Sequence, residues 1–134
     1  MELVGLDHYA INVADVKRAA DWYKKAFGFT ILHKWTGPEV WMVGRGNIKV
    51  GLFAMPEARP PGNLDKLFVI KHVAFLVDGD KFAAAQDELR RAGIPFDPPE
   101  DTDIAYSIFV TDPDGNRLEL TTYHPAAPPA PGPS

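Results

Sequence analysis

The chain has 134 residues, a formal net charge of −4 and no cysteine. That length suits one domain or two small fused modules with a core of their own, and the charge balance excludes a nucleic-acid footprint or a basic membrane patch. The missing thiols exclude a disulfide scaffold, a cysteine nucleophile and a thiolate metal site; no apolar run or leader-like start is present either, so the expected setting is cytoplasmic, with neither nucleic acid nor membrane as partner.

Residues 3–13 are rich in β-branched and other apolar side chains and predict a strand. Asp15 then reads as a helix N-cap, with Val16, Ala19, Ala20, Tyr23 and Phe27 at helical spacing and Gly28 as the stop. Three short strands follow over 29–35, 39–43 and 48–53, with turns at Gly37-Pro38 and Gly44-Arg45-Gly46-Asn47. Residues 55–66 are a Pro/Gly-rich connection.

After it the order repeats. The pattern predicts a strand over 67–77, a helix over 80–92 ended by Gly93, a short strand over 94–96, and strands over 105–111 and 117–123. The last two are joined by Asp112-Pro113-Asp114-Gly115, in which Pro presets φ and Gly supplies positive φ. The expected divisions are a first module 1–54, a connection 55–66, a second module 67–124 and a Pro-rich tail 125–134 that is too poor in large apolar residues to build a core.

The repetition extends to residues. Gly5-Leu6-Asp7-His8-Tyr9-Ala10-Ile11-Asn12-Val13 parallels Val69-Ile70-Lys71-His72-Val73-Ala74-Phe75-Leu76-Val77, and Gly46-Asn47 parallels Gly115-Asn116. The predicted fold is therefore α+β: two tandem βαβββ modules forming a curved mixed sheet around a pocket.

Alternation along a strand puts His8 with Ala10 and Asn12, His72 with Ala74 and Leu76, and Glu119 with Arg117, Thr121 and Tyr123. In each case the opposite face is the more apolar one and is free to pack under a helix. A mid-strand Glu must be solvated, paired or metal-bound, because burying it bare is very costly. A single strand His or Glu is more often an ordinary surface or core residue. Two His at equivalent repeat positions plus one Glu, however, make a candidate divalent metal site: His8, His72 and Glu119. Such a set leaves positions open for substrate and suits Fe(II), Mn(II), Ni(II) or Zn(II).

The stretches GLDHYAINVADVKRAADWYKKAFGF, IKHVAFLV and FVTDPDGNRLEL together resemble the vicinal oxygen chelate superfamily, which includes glyoxalase I, extradiol dioxygenases, fosfomycin-resistance thiol transferases and bleomycin-binding proteins. The resemblance covers about residues 3–123. It implies paired βαβββ modules around a metal pocket and assigns His8, His72 and Glu119 to ligand positions.

The departures from subgroup patterns are specific. Val50 or Gly51 stands where many glyoxalase I enzymes place a fourth ligand. Phe109 stands where extradiol dioxygenases have Tyr. Ser107 matches a phosphonate-contacting Ser of the fosfomycin group, but Ala10 and Pro99 replace its Thr and Lys. The resemblance thus implies a three-ligand metalloenzyme acting on a small oxygen-rich molecule, by lyase, isomerase, dioxygenase or thiol-transfer chemistry, with no general base identified.

The alternative is a protein of the bleomycin-resistance type that sequesters its ligand between aromatic walls without turnover. Ser107, Phe109, Arg117, Tyr123, Trp41 and Phe53 are the pocket candidates. A homodimer is expected, with the metal held either within one chain or by His8 of one chain and His72 and Glu119 of another.

Overall fold

The computed structural model describes residues 1–125. It contains eight strands and two α-helices: β1 (Tyr9–Val13), α1 (Val16–Phe27), β2 (Thr30–Lys34), β3 (Val40–Arg45), β4 (Ile48–Ala54), β5 (Val73–Leu76), α2 (Phe82–Arg91), β6 (Glu100–Asp101), β7 (Ala105–Thr111) and β8 (Arg117–Tyr123). Short 3-10 turns occupy Leu64–Lys66 and Gly79–Lys81. The βαβββ order occurs twice, as the duplicated sequence predicts. The tail beyond Pro125 lies outside the described residues.

The strands form two four-stranded mixed sheets of identical plan, β1-β4-β3-β2 and β5-β8-β7-β6. In each sheet the first strand runs parallel to the last, and the remaining pairs are antiparallel. The chain forms two compact units: one comprises Gly5–Gly62 with Asp112–Asn116, the other Met1–Val4, Asn63–Thr111 and the chain from Arg117.

In the first unit, α1 starts where Asp15 accepts a hydrogen bond from the Arg18 N–H, 2.9 Å away. It ends where Gly28 adopts φ 70° and its N–H reaches back to the Lys24 carbonyl. Val16, Ala19, Ala20, Tyr23 and Ala26 are buried along one stripe, and Val43, Val50 and Leu52 of the sheet are buried as well. Asp15→Ala removes the cap and is expected to cost about 1 kcal/mol, measured by urea unfolding.

In the second unit, the alternation of β8 is explicit: Leu118, Leu120 and Thr122 are buried, whereas Arg117, Glu119, Thr121 and Tyr123 are not. Ile108 and Val110 of β7 and Phe75 of β5 join the buried set, along with Phe82 and Leu89 of α2.

Four expected elements change. The strands predicted over 3–13 and 67–77 shrink to Tyr9–Val13 and Val73–Leu76, because a strand lasts only as far as its ladder. Pairing starts at Tyr9↔Val50 in one sheet and at Val73↔Leu118 in the other. The short strand predicted over 94–96 is absent. Gly93 at φ 72° turns the chain, Pro95, Pro98 and Pro99 offer no N–H to a ladder, and pairing begins only at Glu100↔Ser107. The helix predicted over 80–92 begins at Phe82, behind a 3-10 turn, without a side-chain cap.

Candidate functional site

The duplication places two histidines alike: His8 and His72 each sit one residue before the first strand of their sheet. His72 and Glu119 are close. Ala74 pairs with Glu119 across β5 and β8, and His72 is two residues upstream of Ala74. The His72 Nε2 lies 3.0 Å from the Glu119 Oε2, with the imidazole one-third exposed and the carboxylate largely buried. The carboxylate predicted to be costly if bare is thus paired.

His8 belongs to the other unit. Its Nδ1 lies 2.8 Å from Asp7 Oδ2, and Lys49 Nζ lies 3.0 Å from Asp7 Oδ1. The bond to His8, followed by that from Lys49, holds the Asp7 carboxyl below its ordinary range. A carboxylate on Nδ1 leaves Nε2 of His8 as the lone-pair nitrogen. Among the described residues, no group of three or more His, Asp and Glu side chains is placed to hold a metal ion.

Around the His72–Glu119 pair, register puts Ser107, Phe109, Arg117, Thr121 and Tyr123 on Glu119's face of the sheet. Phe109 is directly opposite Glu119. Its ring meets the His72 ring edge-to-face with centroids 5.7 Å apart. The Arg117 guanidinium carbon lies 4.6 Å from the same ring's centroid. Ser107 is buried and its hydroxyl shares a 3.1 Å hydrogen bond with Thr121. Tyr123 is half-buried opposite Ala105.

In the first sheet, Phe53 is paired with Asn12, on the face that carries His8, and is 42% exposed. Trp41 is paired with buried Leu52, on the opposite face, beneath the Lys34 ammonium at 4.1 Å. The two aromatic candidates therefore occupy opposite faces of that sheet.

Two features were not anticipated from sequence. Thr121 is the hydroxyl partner of Ser107, and its position opposite Ser107 on the neighbouring strand was the available signal. His124 bonds to Asp101 at 2.9 Å and packs edge-on to Tyr106, centroids 4.2 Å apart. That bond, with the Asp103 N–H, holds the Asp101 carboxyl below its ordinary range. No spacing rule links residues 101 and 124, which only the sheet brings together.

Comparison with known proteins matches residues 5–120 to the family described as the Glyoxalase/Bleomycin resistance protein/Dioxygenase superfamily. Among solved structures, a glyoxylase/bleomycin resistance protein/dioxygenase domain from Frankia sp. EAN1pec is 18% identical with a TM-score of 0.80, covering 93% of this chain and 96% of its own. A glyoxalase family protein from Enterococcus faecalis is 23% identical with a TM-score of 0.74, covering 87% and 96%. A mutant of the fosfomycin resistance protein FosX from Listeria monocytogenes, complexed with Mn(II) and 1S,2S-dihydroxypropylphosphonic acid, is 13% identical with a TM-score of 0.73, covering 92% and 95%. At these identities the structural likeness speaks for the fold. No helix among the described residues is long and apolar enough to cross a membrane.

Proposed function

Since the chain belongs to the Glyoxalase/Bleomycin resistance protein/Dioxygenase superfamily, we propose that it is a metal-dependent enzyme whose ion is held by His8, His72 and Glu119 and whose substrate is a small oxygen-rich molecule. The observation that carries this reading is the 3.0 Å separation of His72 Nε2 and Glu119 Oε2. Two donors each about 2.1 Å from one ion and at right angles to each other stand about 3 Å apart. The pair is therefore already spaced as neighbouring ligands of a common cation, and the donor set fits a borderline divalent ion.

His8 completes the set with its Nε2, and Asp7 on its Nδ1 serves as the outer partner that orients the ring. A bound ion supplies Lewis acidity toward two neighbouring substrate oxygens. The chain's own residues do the rest. Glu119 and His72 face each other at 3.0 Å and would hold the ion, Phe109 walls the imidazole, and the Ser107–Thr121 hydroxyl pair offers a polar floor.

We further propose that the working form is a homodimer in which His8 of one chain serves His72 and Glu119 of the other. Both histidines follow exposed apolar residues: Leu6 is 80% exposed ahead of His8, and Phe68 and Ile70 are 111% and 83% exposed ahead of His72. β1 and β5 are edge strands of their sheets. Apolar surface beside an edge strand is what an isologous interface covers.

The test is elemental analysis of the purified protein, followed by anaerobic Fe(II) or Mn(II) loading and turnover assays on catechols, methylglyoxal–thiol adducts and fosfomycin. One divalent ion per chain and turnover of one class are expected. A protein that binds such a molecule with equal affinity before and after His8→Ala removes the metal is instead a sequestering protein.

A further inference from the structure

The Glu119 face of the β5-β8-β7-β6 sheet carries one Lys or Arg among the described residues, Arg117. It is two residues before Glu119 on the same strand, which puts their Cα atoms about 7 Å apart. Among the described residues, Lys17, Arg18, Lys49, Lys71 and Arg90 have a carboxylate oxygen within 3.1 Å, and the other Lys and Arg side chains, Arg117 included, do not. Arg117 is exposed and has no carboxylate partner among the described residues.

Nor does its side chain trail into solvent at random. The guanidinium lies 4.6 Å from the centre of the Phe109 ring, and that ring also meets His72. An aromatic face under a guanidinium attracts its charge and holds its plane. The fork of N–H donors stays open to an incoming anion, in the geometry that suits a carboxylate held by two parallel bonds. One phenyl ring thus fixes both the imidazole that faces Glu119 and the cation beside it.

We propose that Arg117 is an anion anchor, and that the substrate carries a carboxylate a few bonds from the pair of oxygens presented to His8, His72 and Glu119. This rests on the metal reading above and adds to it a specificity-determining residue and a charge on the substrate. A neutral diol or catechol would leave the guanidinium idle. A carboxylate at the right distance would engage metal and guanidinium together, which favours it over its neutral analogue.

The test uses the full-length protein. Mn(II) uptake is first measured by the loss of the free-ion electron paramagnetic resonance signal, for wild type, Arg117→Gln and Arg117→Lys. Catechol and 3,4-dihydroxybenzoate, which share the two hydroxyls and differ in the carboxylate, are then titrated calorimetrically into each Mn(II)-loaded protein. Mn(II) uptake is expected in all three, and the readout in each is the ratio of the two ligand affinities. Wild type should prefer the carboxylate-bearing ligand by about 10-fold, equivalent to 1.4 kcal/mol. Arg117→Gln should lose that preference and Arg117→Lys should keep part of it, since the charge remains without the fork. An unchanged preference in Arg117→Gln, or none in wild type, overturns the anchor while leaving the metal reading intact. Failure of wild type to take up Mn(II) overturns both.

Discussion

Replacing Glu119 by Gln is expected to weaken divalent metal binding by on the order of 100-fold or more, a loss at least as large as outer partners of a metal site produce. Glu119 is the single carboxylate of the proposed set and the side chain that His72 faces at 3.0 Å. The amide keeps the shape and loses the charge. His8→Ala and His72→Ala should match it, whereas Asp7→Asn, which only loosens the orientation of the His8 ring, should cost roughly 10-fold.

A mixing experiment gives the assignment its sharpest form. His8→Ala and Glu119→Gln chains each lack one ligand. If His8 serves the partner chain, a heterodimer of the two variants contains one complete site and one doubly broken site. Mixing after mild unfolding and refolding should then recover metal binding that neither parent shows. Unaltered metal affinity in the three single variants would remove these residues from the site. Recovery of nothing on mixing would place all three ligands in one chain.

The second large effect concerns stability. Asp112→Ala is expected to destabilise the fold by about 3–5 kcal/mol, a large share of the 5–15 kcal/mol typical of a whole domain. Asp112 is 4% exposed. Its Oδ1 accepts the N–H groups of Asp114 and Asn116, both at 2.9 Å. Its Oδ2 accepts the Asn116 side-chain N–H at 2.9 Å and the Tyr23 hydroxyl of α1 at 2.8 Å. Removing the carboxylate leaves the buried Tyr23 hydroxyl and three part-buried N–H donors without their partner, which costs more than the bonds themselves contributed.

Burial, reinforced by the Asp112 charge, drives the Tyr23 hydroxyl far above its ordinary range and favours its protonated, donating form. Tyr23→Phe alone should cost about 1–2 kcal/mol and should cost nearly nothing more in an Asp112→Ala background. Urea unfolding of the four proteins measures the coupling. Equal costs for Tyr23→Phe in both backgrounds would mean that the 2.8 Å bond carries no stability.

The duplicated plan was legible because both signals that encode it are local. Alternating apolar residues mark β7 and β8 to the residue, and Asp15 with Gly28 brackets α1 as expected. The first strand of each module was overread, because apolar content at Leu3, Val4, Leu6, Phe68 and Ile70 looks the same whether a ladder or a partner surface uses it.

At the site, strand faces and repeat positions singled out His72 and Glu119, whereas their 3.0 Å separation and the shared face of Phe109 and Arg117 come from the ladder register. The clasp of Tyr23 on Asp112, and of Arg18 on Asp114 at 2.7 Å, was out of reach. Those aspartates announce a turn so strongly that their longer-range bonds leave no trace in the pattern. Trp41 and Phe53 looked equivalent as aromatic strand residues, and only the ladder register separates their faces.

The parallel pairing of β5 with β8 has a consequence for synthesis. Val73 and Leu118 are partners although most of the second module lies between them. A nascent chain that has emerged through β7 therefore holds β5 with no neighbour in its own sheet, and the His72 imidazole has no carboxylate to meet. Contacts so distant in sequence form late and slowly. The His72–Glu119 pair is thus assembled only once β8 has been made, after α1 and the first sheet have long been available to fold.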